Sequence, residues 1–145
     1  MKTRYLIQLL FLSITIPLIA ISCGKSDDEP EVEPYRLPYL KMEQEGFVPS
    51  VTLEVSGERQ TISVRVLTNR SAKTEVGLET TWIKVGDRIR TAGSELIEFT
   101  YDIEANDTGM ERTGHIVVSA ELPEKELGEN VSPIGIKVIQ SAASH

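Results

Sequence analysis

The stretch LIEFTYDIEANDTGMERTGHIVVSA, residues Leu96 to Ala120, decides the fold. In its first half Ile97, Phe99, Tyr101 and Ile103 alternate with Glu98, Thr100, Asp102 and Glu104. That period of two belongs to a β-strand with one buried face. Asn106, Asp107 and Gly109 then supply residues that tolerate left-handed backbone angles, and after Arg112 the alternation resumes with Gly114, Ile116 and Val118 inward. The pattern predicts a β-hairpin with a slightly long loop. A lone hairpin is marginal in water, so other strands must cover its aromatic face.

Those strands are found on both sides. Upstream, Val51, Leu53 and Val55 alternate with Thr52 and Glu54, Ser56-Gly57-Glu58 turns the chain, and Ile62, Val64 and Val66 alternate with Ser63 and Arg65. A polar break at Thr68-Asn69-Arg70-Ser71 precedes a weaker strand with Val76 and Leu78, then Trp82-Ile83-Lys84-Val85 and a Gly86-Asp87 turn. Downstream, a polar loop runs from Glu121 to Ser132, long for a hairpin connection. The last strand runs from Ile134 to Ile139, and Gln140 ends it. No segment holds a helical period over a useful length. About seven short strands at regular spacing predict an all-β antiparallel sandwich, placed at residues 46–143. A domain of about a hundred residues can bury a sufficient core without a disulfide.

The full chain has 145 residues, with 22 acidic against 15 basic side chains, which sets nucleic acid aside as a partner. Lys2 and Arg4 give a basic start, Tyr5 to Ile21 is almost wholly apolar, and Ala20-Ile21-Ser22 precedes the single Cys23. This resembles the lipobox cut by bacterial lipoprotein signal peptidase, which implies a signal peptide at 1–22 and lipidation of Cys23. The cut removes two basic residues and no acid, taking the formal charge from −7 to −9. Acyl chains such as palmitate on Cys23 would occupy its sulfur and amine and hold the protein on a membrane, since each buried methylene contributes about 0.8 kcal/mol. The competing reading is a secreted protein or a single-span anchor with an incidental cysteine, although the apolar run is short for a span.

Residues 23–45 read as a tether, acidic and punctuated by Pro30, Pro34 and Pro38, a composition that stays extended and solvated. Gly24-Lys25-Ser26-Asp27-Asp28-Glu29, directly after Cys23, is similar to the short acidic export signal that sends Bacteroidota lipoproteins to the outer face of the outer membrane, so the expected location is the cell surface. Within the tether, Tyr35, Tyr39 and Leu40 are either a partner-binding segment or a strand that docks on the domain edge, and edge docking is favoured.

Four stretches carry a family resemblance: Val55-Ser56-Gly57 to Val66-Leu67-Thr68-Asn69, Trp82-Ile83-Lys84-Val85, Asp102 to Ser119 with Asn106, Arg112, Gly114 and Ile116, and Val138-Ile139-Gln140-Ser141-Ala142. Their order and spacing over Val48 to Ala142 resemble the BACON domain, an immunoglobulin-like module of Bacteroidota surface and secreted proteins. The resemblance implies an immunoglobulin-like β-sandwich and a non-catalytic role in carbohydrate binding. The chain departs from the family pattern in two places. The first tryptophan usual before Trp82 is missing around Glu75 to Leu78, and the Glu121–Ser132 loop is longer than typical.

Sugar recognition needs exposed flat rings and planar polar groups. Phe99 and Tyr101 lie on the apolar face of their strand and read as core. Trp82, in a sandwich strand, reads as a buried plug. Tyr35, Tyr39 and Phe47 remain as aromatic candidates. Glu121, Glu124, Lys125, Glu126 and Asn130 of the long loop are the polar ones, because loops at the end of a sandwich often bind. His115 should point to solvent and His145 is terminal, so no nucleophile–base pair is legible. Asp102, Glu104, Asp107 and Glu111 surround a turn, but their spacing fits no calcium loop. No catalytic residue, metal or cofactor is expected. The expected partners are the membrane through the N-terminal lipid, and either a carbohydrate or host glycoprotein or another outer-membrane protein. In the last case the chain would be a structural spacer or a protein-interaction subunit.

Overall fold

The computed structural model describes residues 34–144; the segment read as a signal peptide, Cys23 and the first part of the stretch read as a tether lie outside the described residues. Pro34 and Tyr35 are exposed, and the compact unit begins at Arg36. It contains eight strands: β1 (Leu40–Met42), β2 (Ser50–Val55), β3 (Gln60–Thr68), β4 (Ser71–Val76), β5 (Ile83–Arg90), β6 (Leu96–Ile103), β7 (Arg112–Glu121) and β8 (Ile134–Gln140). One sheet has the order β1-β3-β6-β5 and the other β2-β8-β7-β4. This is the immunoglobulin-like arrangement, in which alternating inward residues of two sheets enclose one core. One pairing is parallel: β2 runs beside β8 from Ser50 opposite Gly135 to Val55 opposite Gln140.

The core follows from the alternation. Val64, Val66, Ile97, Phe99, Tyr101 and Ile103 of the first sheet are buried against Ala72, Ile116, Val118, Ile134, Ile136 and Val138 of the second. Burying a side chain such as Phe99 stabilises the fold by about 1.5–3 kcal/mol. The outer face of the first sheet is a polar ladder, with Thr61 Oγ1 donating to Asp102 at 2.7 Å and Ser63 Oγ to Glu98 at 2.8 Å. Such pairs discourage association with another sheet.

Several features differ from the sequence reading. The Leu96–Ala120 stretch is not a hairpin: β6 pairs with β3 and β5, whereas β7 pairs with β4 and β8. The two strands face each other across the core and their connection crosses between sheets. Alternation reports which face is buried, and a connection of this length serves either arrangement. Asn106 and Asp107 do not use left-handed angles, which only Gly46, Gly93 and Gly109 adopt among the described residues. The Gly86-Asp87 pair is not a turn either. β5 continues through it with a register shift between Val85 and Arg88, and the Thr100 hydroxyl accepts from the Asp87 amide at 2.7 Å, a β-bulge on an edge strand. Leu78 lies outside any strand and is 98% exposed.

Ahead of residue 46, where the sequence reading starts the domain, Leu40 and Met42 are already buried and β1 pairs with β3, so the end of the tether docks on the sheet edge.

Candidate functional site: a groove beside the tether

The end of the sandwich where the tether enters is built by local hydrogen bonds. Met42 N donates to Gly46 O at 2.9 Å and Gly46 N to Met42 O at 3.1 Å, a reversal that requires the positive φ of Gly46. It carries Phe47 back beside Tyr39, with ring centroids 6.3 Å apart at 65°. Lys41 Nζ lies 5.8 Å from the Tyr39 ring centre and 5.5 Å from that of Phe47, within cation–π range. The last residues of the β7–β8 loop close the other side. Pro38, Tyr39, Phe47, Val48, Asn130, Val131 and Ser132 are among the residues that line a groove of about 320 Å³.

Tyr39 is a fixed wall. Its hydroxyl donates to Glu95 Oε2, its amide donates to Asn69 Oδ1 at 3.1 Å, and Arg36 NH1 lies 2.8 Å from the other Glu95 oxygen. Burial, and then the bond to Glu95, push the Tyr39 hydroxyl up to about 12, while that bond and Arg36 hold the Glu95 carboxyl below its ordinary range. Phe47 is the open face, 73% exposed.

An ion pair holds the long loop. Arg70 donates from Nε and NH2 to the two oxygens of Glu126, at 2.5 and 2.8 Å, and from NH2 to Arg36 O at 2.9 Å. A single guanidinium thus joins the tether end, the β3–β4 corner and the β7–β8 loop, in the planar bidentate geometry that suits arginine. Its bond holds the Glu126 carboxyl below the usual range. Glu126 is 5% exposed; its role is to anchor the loop.

The other sequence candidates separate. Tyr39 and Asn130 meet in the groove. Tyr35 lies in the exposed stretch ahead of the compact unit. Glu124 and Lys125 are exposed on a single 3₁₀ turn, and Glu121, at the end of β7, lies 3.8 Å from Arg88. The sequence reading missed that Val48, Val131 and Ser132 complete the groove and that Lys41 lies over the Tyr39 and Phe47 rings. Gly46, between the polar Glu43-Gln44-Glu45 and the apolar Phe47-Val48, was a local signal of the reversal.

The opposite end holds the residues on which the family resemblance rested. Asn106 is fully buried and donates from Nδ2 to Met110 O at 2.7 Å and Ser141 O at 3.0 Å, while its Oδ1 accepts from Thr108 Oγ1 at 2.6 Å. Gln140 Oε1 accepts from Arg112 Nε at 2.8 Å, and its amide donates to Glu104 O at 2.9 Å. The Arg112 guanidinium lies 4.4 Å from the Trp82 ring centre, and Trp82 is buried. Gly114 makes room for that ring, since a Cβ there would sit 2.8 Å from Trp82 Cζ2. These groups satisfy one another and tie the strand ends together. Among the described residues no group of three or more His, Cys, Asp or Glu could hold a metal; Asp102 and Glu104 bond Thr61 and Lys84.

The family comparison agrees with this pattern. Residues 71–141 match the model of the BACON family, described as "Putative binding domain, N-terminal", a shorter match than the Val48–Ala142 of the sequence resemblance. No curated protein matches. Among solved structures, the chain is similar to one titled "Structure of the N-terminal domain of PorA", at 10% identity, covering 72% of this chain and 98% of that chain with a TM-score of 0.39. The matched segment runs from the start of β4 to the residue after β8.

Proposed function

We propose that the chain is a lipid-anchored, surface-displayed binding protein without catalytic activity, and that it takes a glycan or the glycan of a glycoprotein in the groove beside the tether. The observation that carries this reading is the exposed Phe47 ring, held by Tyr39 and Lys41 and facing the Asn130–Ser132 edge. An apolar sugar face packs on such a ring, and the Asn130 amide and Ser132 hydroxyl are the planar and hydroxyl groups that select sugar hydroxyls. The family's description as a binding domain supports the same reading. The lipobox-like Ala20-Ile21-Ser22-Cys23 and the acidic residues after it support the anchor and the outer-membrane location.

Two experiments test the proposal. On a glycan array that includes host mucin glycans and plant polysaccharides, the chain should give a saturable hit; a clean negative from folded protein removes glycan binding for the glycans tested. On intact cells, externally added protease should remove the domain, and Cys23→Ala should release it from the membrane fraction. Protection of the domain in intact cells would contradict surface display.

A second reading, a subunit that docks on another outer-membrane protein, is favoured by edge strand β5, which leaves Val85 and Ile89 about half exposed. Pulldown of one stoichiometric outer-membrane partner, lost on changing Val85 and Ile89 to threonine, would support it over the glycan reading.

A further inference from the structure

The outer face of the β2-β8-β7-β4 sheet carries a second feature, separate from the groove. Register puts Thr52, Lys137 and His115 in one cross-strand row and Ser50, Gly135 and Val117 in the next. Their chain neighbours Ile116 and Ile136 point into the core, so all six residues share the solvent face. At Gly135 the row has no side chain. The backbone there floors a depression of about 320 Å³ walled by Ser50, Thr52, His115, Val117 and Lys137, at the lower end of the roughly 300–1,000 Å³ of small-molecule sites.

The fold does not require this glycine. Its φ is not in the left-handed region, and a Cβ there would meet nothing nearer than Pro49 O at 3.7 Å. Glycine inside a strand weakens it, and close approach of a ligand to the backbone is one reason for a glycine to stand there. The charges point the same way. Lys137 has Thr52 on one side and His115 on the other, and no ion pair among the described residues. Of the carboxylates on this face, Glu75 is taken by Lys73 at 2.9 Å, and Glu54 lies opposite Ile139, one row along. In a chain of net charge −7, this is a cationic spot without a counterion built around open space.

We infer that the depression binds a sugar ring bearing a carboxylate. The Lys137 ammonium takes the carboxylate, the Ser50 and Thr52 hydroxyls and the His115 imidazole take ring hydroxyls, and Val117 with the open backbone at Gly135 supports the apolar ring face. The sugar part of the inference rests on the glycan reading above; the anion part does not, and neither uses the groove.

The test is titration of the full-length chain in detergent micelles with D-glucuronate, D-glucose and acetate, followed by backbone amide shifts. Glucuronate should saturate, shift the amides of Thr52, His115 and Val117, and bind at least about tenfold more tightly than the other two. Lys137→Met, which keeps the apolar stem, and Gly135→Val, which fills the depression without a backbone clash, should each weaken it by a similar factor. Phe47→Ala should leave it unchanged, so failure of the groove reading and failure of this one are separate results. Absence of saturation, glucose or acetate binding as tightly as glucuronate, or glucuronate binding that survives both substitutions would overturn the inference.

Discussion

Replacing Asn106 by alanine should unfasten the end of the sandwich far from the tether. The side chain makes three bonds of 3.0 Å or less, to Met110 O, Ser141 O and Thr108 Oγ1, and it is fully buried. Each is worth about 1 kcal/mol net, so the loss is about 3 kcal/mol, and a Ser141 carbonyl left without its partner pushes it upward. That corresponds to a roughly 150-fold fall in the folded-to-unfolded ratio, and to a Tm about 15 °C lower for a domain of this size. Urea unfolding followed by the fluorescence of Trp82, the single tryptophan, measures it with an unchanged m-value. Protection from hydrogen exchange should fall at Ala143, whose amide donates to Asn106 O at 3.0 Å. A loss below about 1 kcal/mol would refute the reasoning, because it would mean that water or the loop backbone replaces all three bonds.

Three further outcomes follow from the packing and the charges. Burial pushes the Tyr101 hydroxyl up to about 12 from an ordinary value of 10.0. A raised folded value contributes stability that is full below pH 10 and is lost as pH rises from there through about 12, by about 1.4 kcal/mol per unit. Tyr101→Phe should flatten that part of a stability-against-pH curve, and an unchanged slope would show the hydroxyl to be solvated. Glu126, held below its ordinary range by Arg70, contributes stability that is present above the usual carboxylate range and lost as pH falls through its lower folded value. Glu126→Gln should remove that acid-side dependence and speed protease cleavage in the 122–133 loop, and equal cleavage of both proteins would sink the anchor role. Gly114→Ala puts a Cβ 2.4 Å from Thr80 Cγ2 and 2.8 Å from Trp82 Cζ2; overpacking of this kind should destabilise by about 1–3 kcal/mol, with a shifted Trp82 emission spectrum as its signature.

How much of this was legible in the sequence depends on the question asked of it. Alternation placed Phe99, Tyr101 and Ile116 inward and His115 outward correctly, because the side-chain period of a strand depends only on which face is buried. It could not say that β6 and β7 belong to different sheets. The strand pairings show it, and in the connection Asn106 bonds Gln140 O and Ser141 O at the end of β8 and just beyond. The turn reading of Gly86-Asp87 failed because a bulge and a turn use the same residues, and the pairing with β6 on both sides, with the Thr100 hydroxyl bonding the Asp87 amide, shows which was formed.

The site was half legible. Tyr39 and Asn130 were singled out for separate reasons, one as a tether aromatic and one as a loop amide. Their meeting depends on the Gly46 reversal and on the Arg70–Glu126 pair, whose members stand 56 positions apart. For the same reason Glu126 read as a loop charge open to a ligand, although its carboxylate is occupied within the fold.

The central claim is that the Phe47 ring is the binding face of the groove. Affinities of the wild-type chain and of Phe47→Ala should be measured side by side for the strongest glycan on the array. Phe47 is largely exposed, so the variant should unfold with the same midpoint as the wild type. Removing a stacking ring costs about 1.5 kcal/mol or more, so the account predicts binding at least about tenfold weaker. Equal affinity in the two proteins, or no saturable glycan for the folded wild type, would contradict it.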